Sequence, residues 1–522
     1  LTLTQTLIGT ALDISGDIDV DGTSNLDIVD IDVSLAVNGT IKLDGNYPTG
    51  TDNVALGNTA LDSIEAGGIN NVAIGDNAGT AITTGDNNVA VGKDSLLSNS
   101  TGCKNVAVGF NSLKTNTTSC ENVAVGHCSL LLNTEGDFNV AIGTLSLGAN
   151  TTANGNIAIG ASALVKNTTG ADNIGIGFLA GRCNITGGSN TAVGSCALLK
   201  NTGSNNAAFG KNALTCNTTA SNNTAVGNAS MLSTTTGTCN TAVGMCSMAD
   251  NTTGDQNAAF GYFALQNNTT ADFNVAIGGC AMFTNTTGCH NTALGRNALY
   301  ANSTGDNNTA IGCGALDTNT TADNNTAVGA LTLCTNTTGA KNAAFGAFAL
   351  ENNTTGAENV ALGKDSLGAN TTGSTNTAVG TDSMRRNTTG AGNTAVGKCS
   401  SCTNTTGSDN TAVGIFSLFA NTTAAKNAAF GMCAMKNNTT GTENTAIGSE
   451  AIKYGTTGSY NTALGACTLG GSEVNTGDDN VAIGRKSMFD NATGHSNVAV
   501  GNSSLANNTT GVQNVAVGLL AL

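Results

Sequence analysis

Apolar and polar positions along this chain repeat on a fixed beat. The pentapeptide Asn-(Val/Thr/Ala/Ile)-Ala-(aliphatic or Phe)-Gly returns 28 times, its glycines running from Gly57 to Gly518. The spacing is 17 residues except from Gly57 to Gly75 (18), Gly194 to Gly210 (16) and Gly465 to Gly484 (19). A period held this strictly means that each unit stacks on its neighbour in one register, because an irregular core would let the spacing drift.

With Asn291–Asn307 as ruler (NTALGRNALYANSTGDN), position 1 is Asn in every copy and position 3 is almost always Ala. Positions 2 and 4 are Val, Ile, Thr or Ala and Val, Ile, Leu or Phe, the period-two signature of a strand. Gly at position 5 marks a bend or a close approach of two backbones. Position 8 is usually small (Ser95, Ala213, Ala315) and position 9 is usually Leu or Met (Leu96, Leu113, Met231, Met248, Leu299), Gly79, Gly181 and Ser401 being among the exceptions. Positions 12 to 15 typically read Asn-Thr-Thr-Gly, with Ala220 closing the variant at Asn217–Ala220, a turn with a side-chain-to-backbone hydrogen bond and a residue at φ > 0.

One coil therefore reads as a strand, a glycine bend, a short second strand carrying the Leu or Met, and a closing turn. Seventeen residues cannot house an ordinary helix and two strands, and leucine-rich repeats are longer, with several leucines each. The prediction is an all-β fold, a parallel β-roll or β-solenoid of 28 coils over residues 51–522, preceded by an Asp-rich β segment at 1–50. Stacked at about 4.8 Å, the coils make a rod on the order of 130 Å long, with ladders of Asn at position 1 and of Thr at 13 and 14. Positions 4 and 9 (Val108 and Leu113, Val243 and Met248) are expected in the core. Ala at 3 and small residues at 8 are expected to form a flat face that another chain covers. The 16-residue step ending at Gly210 and the 19-residue step ending at Gly484 are expected to absorb their length changes in turns.

Composition narrows the function. Aromatic residues are 4% of the chain, with no Trp and one Pro, which fits a thin core. The formal net charge is −16 and only 19 Lys and Arg are scattered along the chain; nucleic-acid binding needs basic residues in clusters. No apolar run reaches the length of a membrane span. Leu1–Thr10 lacks the flank and core of a signal peptide, and the chain is expected to start inside a longer or processed product.

The strings NVAIG (Asn71–Gly75, Asn139–Gly143) and NTAVG resemble the repeat in the head domain of trimeric autotransporter adhesins. The longer unit NTAVG…AL…NTTG resembles arrays in phage-type tail fibre proteins. The resemblance covers about residues 51–522. It implies a left-handed roll, a homotrimer, a virion tail fibre or an extracellular, cell-surface location, and attachment to a host receptor or glycan. The 17-residue unit is longer than that of the adhesin head. The adhesin's stalk and membrane anchor and the fibre's C-terminal chaperone are not among these 522 residues, and a C-terminal part is expected to have been cleaved or to lie beyond Leu522.

Other motifs have a plainer reading. Asp17-x-Asp19-x-Asp21-Gly22 matches the first half of an EF-hand loop, but Ile28 sits where that loop needs a bidentate Glu, so no metal is expected. Gly392–Cys399 imitates a phosphate loop, and Gly175-Ile-Gly177 a dinucleotide fingerprint, through glycines that belong to the repeat. Seven of the 16 cysteines occupy position 7; they read as small apolar fillers. Only Cys103 and Cys120 share a position in adjacent coils, and zinc there would need His127 or Cys128 to reach across. His127, His290 and His495 share no ladder, and no triad can be drawn. The Asn-x-Thr sequons read as turn chemistry, since glycans one coil apart would collide.

No catalytic residue, cofactor or metal is expected, and the chain reads as a structural repeat protein, not an enzyme. The leading reading is a viral tail fibre. The alternatives are a secreted bacterial adhesin, disfavoured by unpaired thiols that export would oxidise, and an ice-binding β-solenoid, disfavoured by a Thr pair that is consecutive instead of alternating.

Overall fold

A computed structural model describes residues 51–471 and 474–522; the acidic segment at 1–50, with the Asp17, Asp19 and Asp21 candidate, lies outside the described residues. Each coil gives one three-residue strand, from Val54–Leu56 (β1) to Val515–Val517 (β28). Every strand pairs in parallel with that of the next coil, so one sheet of 28 strands runs the length of the array. Equivalent residues pair throughout, as in Thr292↔Thr309, Ala293↔Ala310 and Leu294↔Ile311. The fold is the parallel β-solenoid that the period predicts.

The irregular steps leave this register intact. Across the short step Thr191 still pairs with Ala207, and the residue lost is one Thr between Asn201 and Gly203, whose N–H is taken by Asn201 Oδ1 at 3.2 Å. Across the long step Thr462 pairs with Val481. The extra residues fall between Leu469 and Asn475, and Asn475 is buried in the place of the turn Asn.

The strand faces the other way from the sequence expectation. Position 9 is buried, Leu113 and Met248 completely, but Val108 and Val243 at position 4 are only half-buried. It is the Ala at position 3 that points inward, with Ala107, Ala242 and Ala293 all at 0% exposure. The reason is the width of the lumen. The position 9 side chain of one coil reaches the position 3 Cβ of the next, leaving space there for a methyl and no more. Where Gly175 replaces that Ala, Leu164 settles into the vacated space, its Cγ 2.8 Å from where a methyl would sit. The Ala face is thus the core of a single chain and is not available to a second one.

Among the described residues no coil forms a second strand. Positions 6 to 11 are turns, and positions 7 and 9 are left-handed, as in Asn297 (φ 56) and Leu299 (φ 55). Two such residues reverse the chain in a space too short for a strand. The positive φ of the closing turn belongs to position 17 (Asn307, φ 57), not to the Gly at 15. At position 5 Gly is required twice over. Gly227 has φ 135, and a Cβ there would collide with the carbonyl of Gly244 in the next coil.

Two files of buried Asn tie the coils together. At position 1, every Asn from Asn71 to Asn514 donates its backbone N–H to the Oδ1 of the Asn one coil earlier. The side-chain amide also reaches forward to the turn, as Asn257 Nδ2 does to Ala271 O at 2.8 Å. At position 12 the amide donates to the preceding Oδ1 and to its own turn, as Asn353 does to Asn336 Oδ1 and Gly356 O, both at 2.8 Å. Buried amides are costly unless bonded; stacking identical coils satisfies them in series.

Candidate interaction faces

Because Ala points inward, positions 2 and 4 point out, and the sheet presents an apolar stripe. Leu294 is 44% exposed, Leu362 48% and Phe260 39%. In four coils position 4 is Phe, and each of these has Ala at position 2: Ala207 with Phe209, Ala258 with Phe260, Ala343 with Phe345, Ala428 with Phe430. Ala occurs at position 2 in no other strand. A ring beside a methyl balances Val or Thr beside an aliphatic, so the bulk of the stripe stays even from coil to coil. Sequence reasoning placed the larger residues inside and missed this stripe. The Ala–Phe pairing and the frequent Thr at position 2 were the signals that could have found it.

Charged pairs between consecutive coils border the stripe. Lys93 and Asp76 at position 6 lie 2.9 Å apart, and the Lys93 ammonium holds the Asp76 carboxyl below the usual carboxylate range. At position 17, Lys104 meets Glu121 at 3.0 Å and Lys341 meets Glu358 at 3.4 Å. These exposed pairs add little stability; they frame an apolar strip with a polar rim, the anatomy of an interface.

The turn face is polar. The position 13 hydroxyl bonds the next coil's carbonyl, as Thr252 Oγ1 does to Thr269 O at 2.9 Å, while position 14, as at Thr253, is exposed. The position 12 sequon Asn residues between Asn99 and Asn491 are buried with their Nδ2 groups hydrogen-bonded, so these sequons serve the turn.

Among the described residues no group of three His, Cys, Asp or Glu is placed to hold a metal ion. The zinc candidates divide: Cys103 and Cys120 adjoin, whereas His127 stacks on Phe110 at 5.4 Å with Cys128 Sγ 3.8 Å from its ring nitrogen. The position 7 cysteines are half-buried apart from buried Cys128. Strand Thr394–Val396 inside the phosphate-loop imitation leads into turns, and Gly175 lies within strand Ile174–Ile176. A depression of about 300 Å³ is bordered by Glu351, Asp365, Arg385 and Arg386. Among the described residues no helix is long and apolar enough to cross a membrane. No protein-family model matches the chain, and no curated protein matches it.

Proposed function

We propose that the chain is the rod of a structural, adhesive fibre whose copies associate along the outward sheet stripe. The observation that carries this reading is the continuity of the stripe. Twenty-eight strands at about 4.8 Å, each about 7 Å wide from position 2 to position 4, give roughly 900 Å² of projected strip, continuously apolar at position 4 and interrupted by Thr at position 2. That extent is comparable with the ~800 Å² per partner of a standard interface. Three copies sharing an axis would cover three stripes and stiffen a thin roll. The number three, the attachment role and a virion or cell-surface location come from the resemblance to tail fibres and trimeric adhesin heads.

One feature favours a second reading. Thr377 and Val379, Thr394 and Val396, and Thr411 and Val413 form an outward Thr-x-Val array on a regular sheet, the kind of repeated surface that ice recognition uses.

Mass in solution separates the two. The fibre reading expects a particle three times the 51.5 kDa chain and no thermal hysteresis. Combining Phe260→Lys, Leu294→Lys, Phe345→Lys, Leu362→Lys and Phe430→Lys should leave the circular dichroism unchanged and reduce the particle to single chains. Thr304→Lys, on the turn face, should leave the assembly intact. A wild-type monomer that depresses the freezing point would replace the fibre with the ice-binding solenoid; a monomer without that activity would refute both.

A further inference from the structure

We propose that Cys103 and Cys120 form a modification site, closing a disulfide between adjacent coils when the protein meets a low-molecular-weight disulfide such as glutathione disulfide. Both occupy position 16, one coil apart, and they are the only two of the 16 cysteines to share a position in consecutive coils. Their Sγ atoms lie 2.9 Å apart. Equivalent residues of stacked coils are about 4.8 Å apart, inside the ~4.4–6.8 Å Cα separation that a disulfide spans. Both thiols are half-buried, leaving an approach for a small oxidant.

The ladder itself aims the sulfur. At position 16 a side chain of one coil takes the backbone N–H of the same position one coil earlier. Asp306 Oδ1 does so for Cys289 at 2.7 Å, and Asp137 Oδ1 for Cys120 at 2.7 Å. Cys120 Sγ fills the same role for the N–H of Cys103 at 3.1 Å, which turns it back onto the Cys103 side chain. The next residues, Lys104 and Glu121, pair at 3.0 Å and hold the same register from outside. The spacing of stacked coils thus falls within the span of a disulfide, and the bond can close by rotation of the two side chains. In the reduced state the hydrogen bond to Cys120, then burial, pushes the Cys103 thiol up to about 11.

The chemistry balances with the named oxidant. One cysteine loses its proton, and its thiolate attacks glutathione disulfide, forming a mixed disulfide and releasing glutathione thiolate. The second cysteine, deprotonated in turn, attacks the protein sulfur of that mixed disulfide and displaces the second glutathione. Two thiol hydrogens leave the protein, and two electrons pass to the glutathione pair.

The test uses the full chain, incubated with glutathione disulfide, alkylated, unfolded and cut with trypsin and a glutamyl endopeptidase. The expected product is Asp94–Lys104 joined to Thr115–Glu121, two hydrogens lighter than the separate peptides; the second cut removes Cys128 from the Cys120 fragment. Denaturing electrophoresis without reductant should show the linked protein at single-chain mass. Cys103→Ser should abolish the link and leave Cys120 carrying glutathione, whereas Cys128→Ser should change nothing. Complete alkylation of both cysteines after exposure to excess oxidant, or Cys120 linked to Cys128 or to another chain, would overturn the proposal.

Discussion

Asn217 and Thr234 hold equivalent buried positions in neighbouring coils, and neither Asn217 Oδ1 nor Thr234 Oγ1 has a hydrogen-bond partner. The file of turn Asn residues breaks here because Thr brings a hydroxyl where the neighbours bring an amide. On the far side, Asn251 Nδ2 bonds only its own turn, at Gly254 O. Thr234→Asn should restore both links and stabilise this stretch by about 1–3 kcal/mol, the cost of a buried polar group left unpaired. Hydrogen exchange at the coils around residues 217–251 is the appropriate measurement, because a repeat array opens locally. Unchanged or faster exchange would count against the ladder as a source of stability.

Gly227 and Ala229, two residues apart, should respond in opposite ways to a single methyl. Gly227→Ala puts a Cβ against the Gly244 carbonyl at φ 135 and should cost roughly 3 kcal/mol or more. Ala229→Gly relieves a left-handed non-glycine residue at φ 54; set against the added freedom of the unfolded chain, its effect should lie within about 1 kcal/mol of zero. Comparing the urea midpoints of the two variants decides it, and equal losses would contradict the assigned backbone.

Burial raises the Asp317 carboxyl above its usual value, and its Oδ1 has no partner. A carboxyl whose folded pKa exceeds its unfolded pKa stabilises most below the unfolded value, and that contribution is lost as pH rises through the folded value. Asp317→Asn should therefore be more stable than the parent at neutral pH, and the advantage should shrink as the pH falls below the normal carboxylate range. Thermal melts at pH 3 and pH 7 test this; a variant less stable at both would refute it. Cys334, whose thiol is raised by burial and then by the Asp317 charge, should titrate lower in the same variant.

The period, the parallel stacking, the burial of Leu113 and Met248, and the absorption of length changes near Asn201 and Asn475 were all legible in the sequence. Which side of the strand faces inward was not. Period-two alternation reads the same from either face, and hydrophobicity alone puts Val108 inside ahead of Ala107. The choice is made by Leu and Met arriving at position 9 from across the coil, a volume constraint that no single strand reveals. The left-handed residues at position 7 left only a partial trace. Asn77, Asp94, Asn111, Asn212 and Asn297 favour that conformation, but Cys280, Phe263 and Leu145 adopt it too and mask the signal. The candidate interface was misplaced for the same reason as the strand, since the outward stripe is whatever the lumen rejects.

The files of Asn have a further consequence. In the position 1 file every link runs one way, the amide of the later coil donating to the oxygen of the earlier one, as from Asn71 to Asn53 and from Asn514 to Asn497. Parallel strands contribute little net dipole because their peptide groups alternate, but these side-chain dipoles add head to tail and polarise one another. The position 1 file is therefore polarised, positive toward Asn53 and negative toward Asn514. The position 13 hydroxyls run the other way, each donating to the carbonyl of the following coil, as Thr252 does to Thr269. Within one rod the two rows of dipoles oppose each other and partly cancel, so the polarity of the Asn file stays a local property of the buried core and adds little to the field that a neighbouring rod meets.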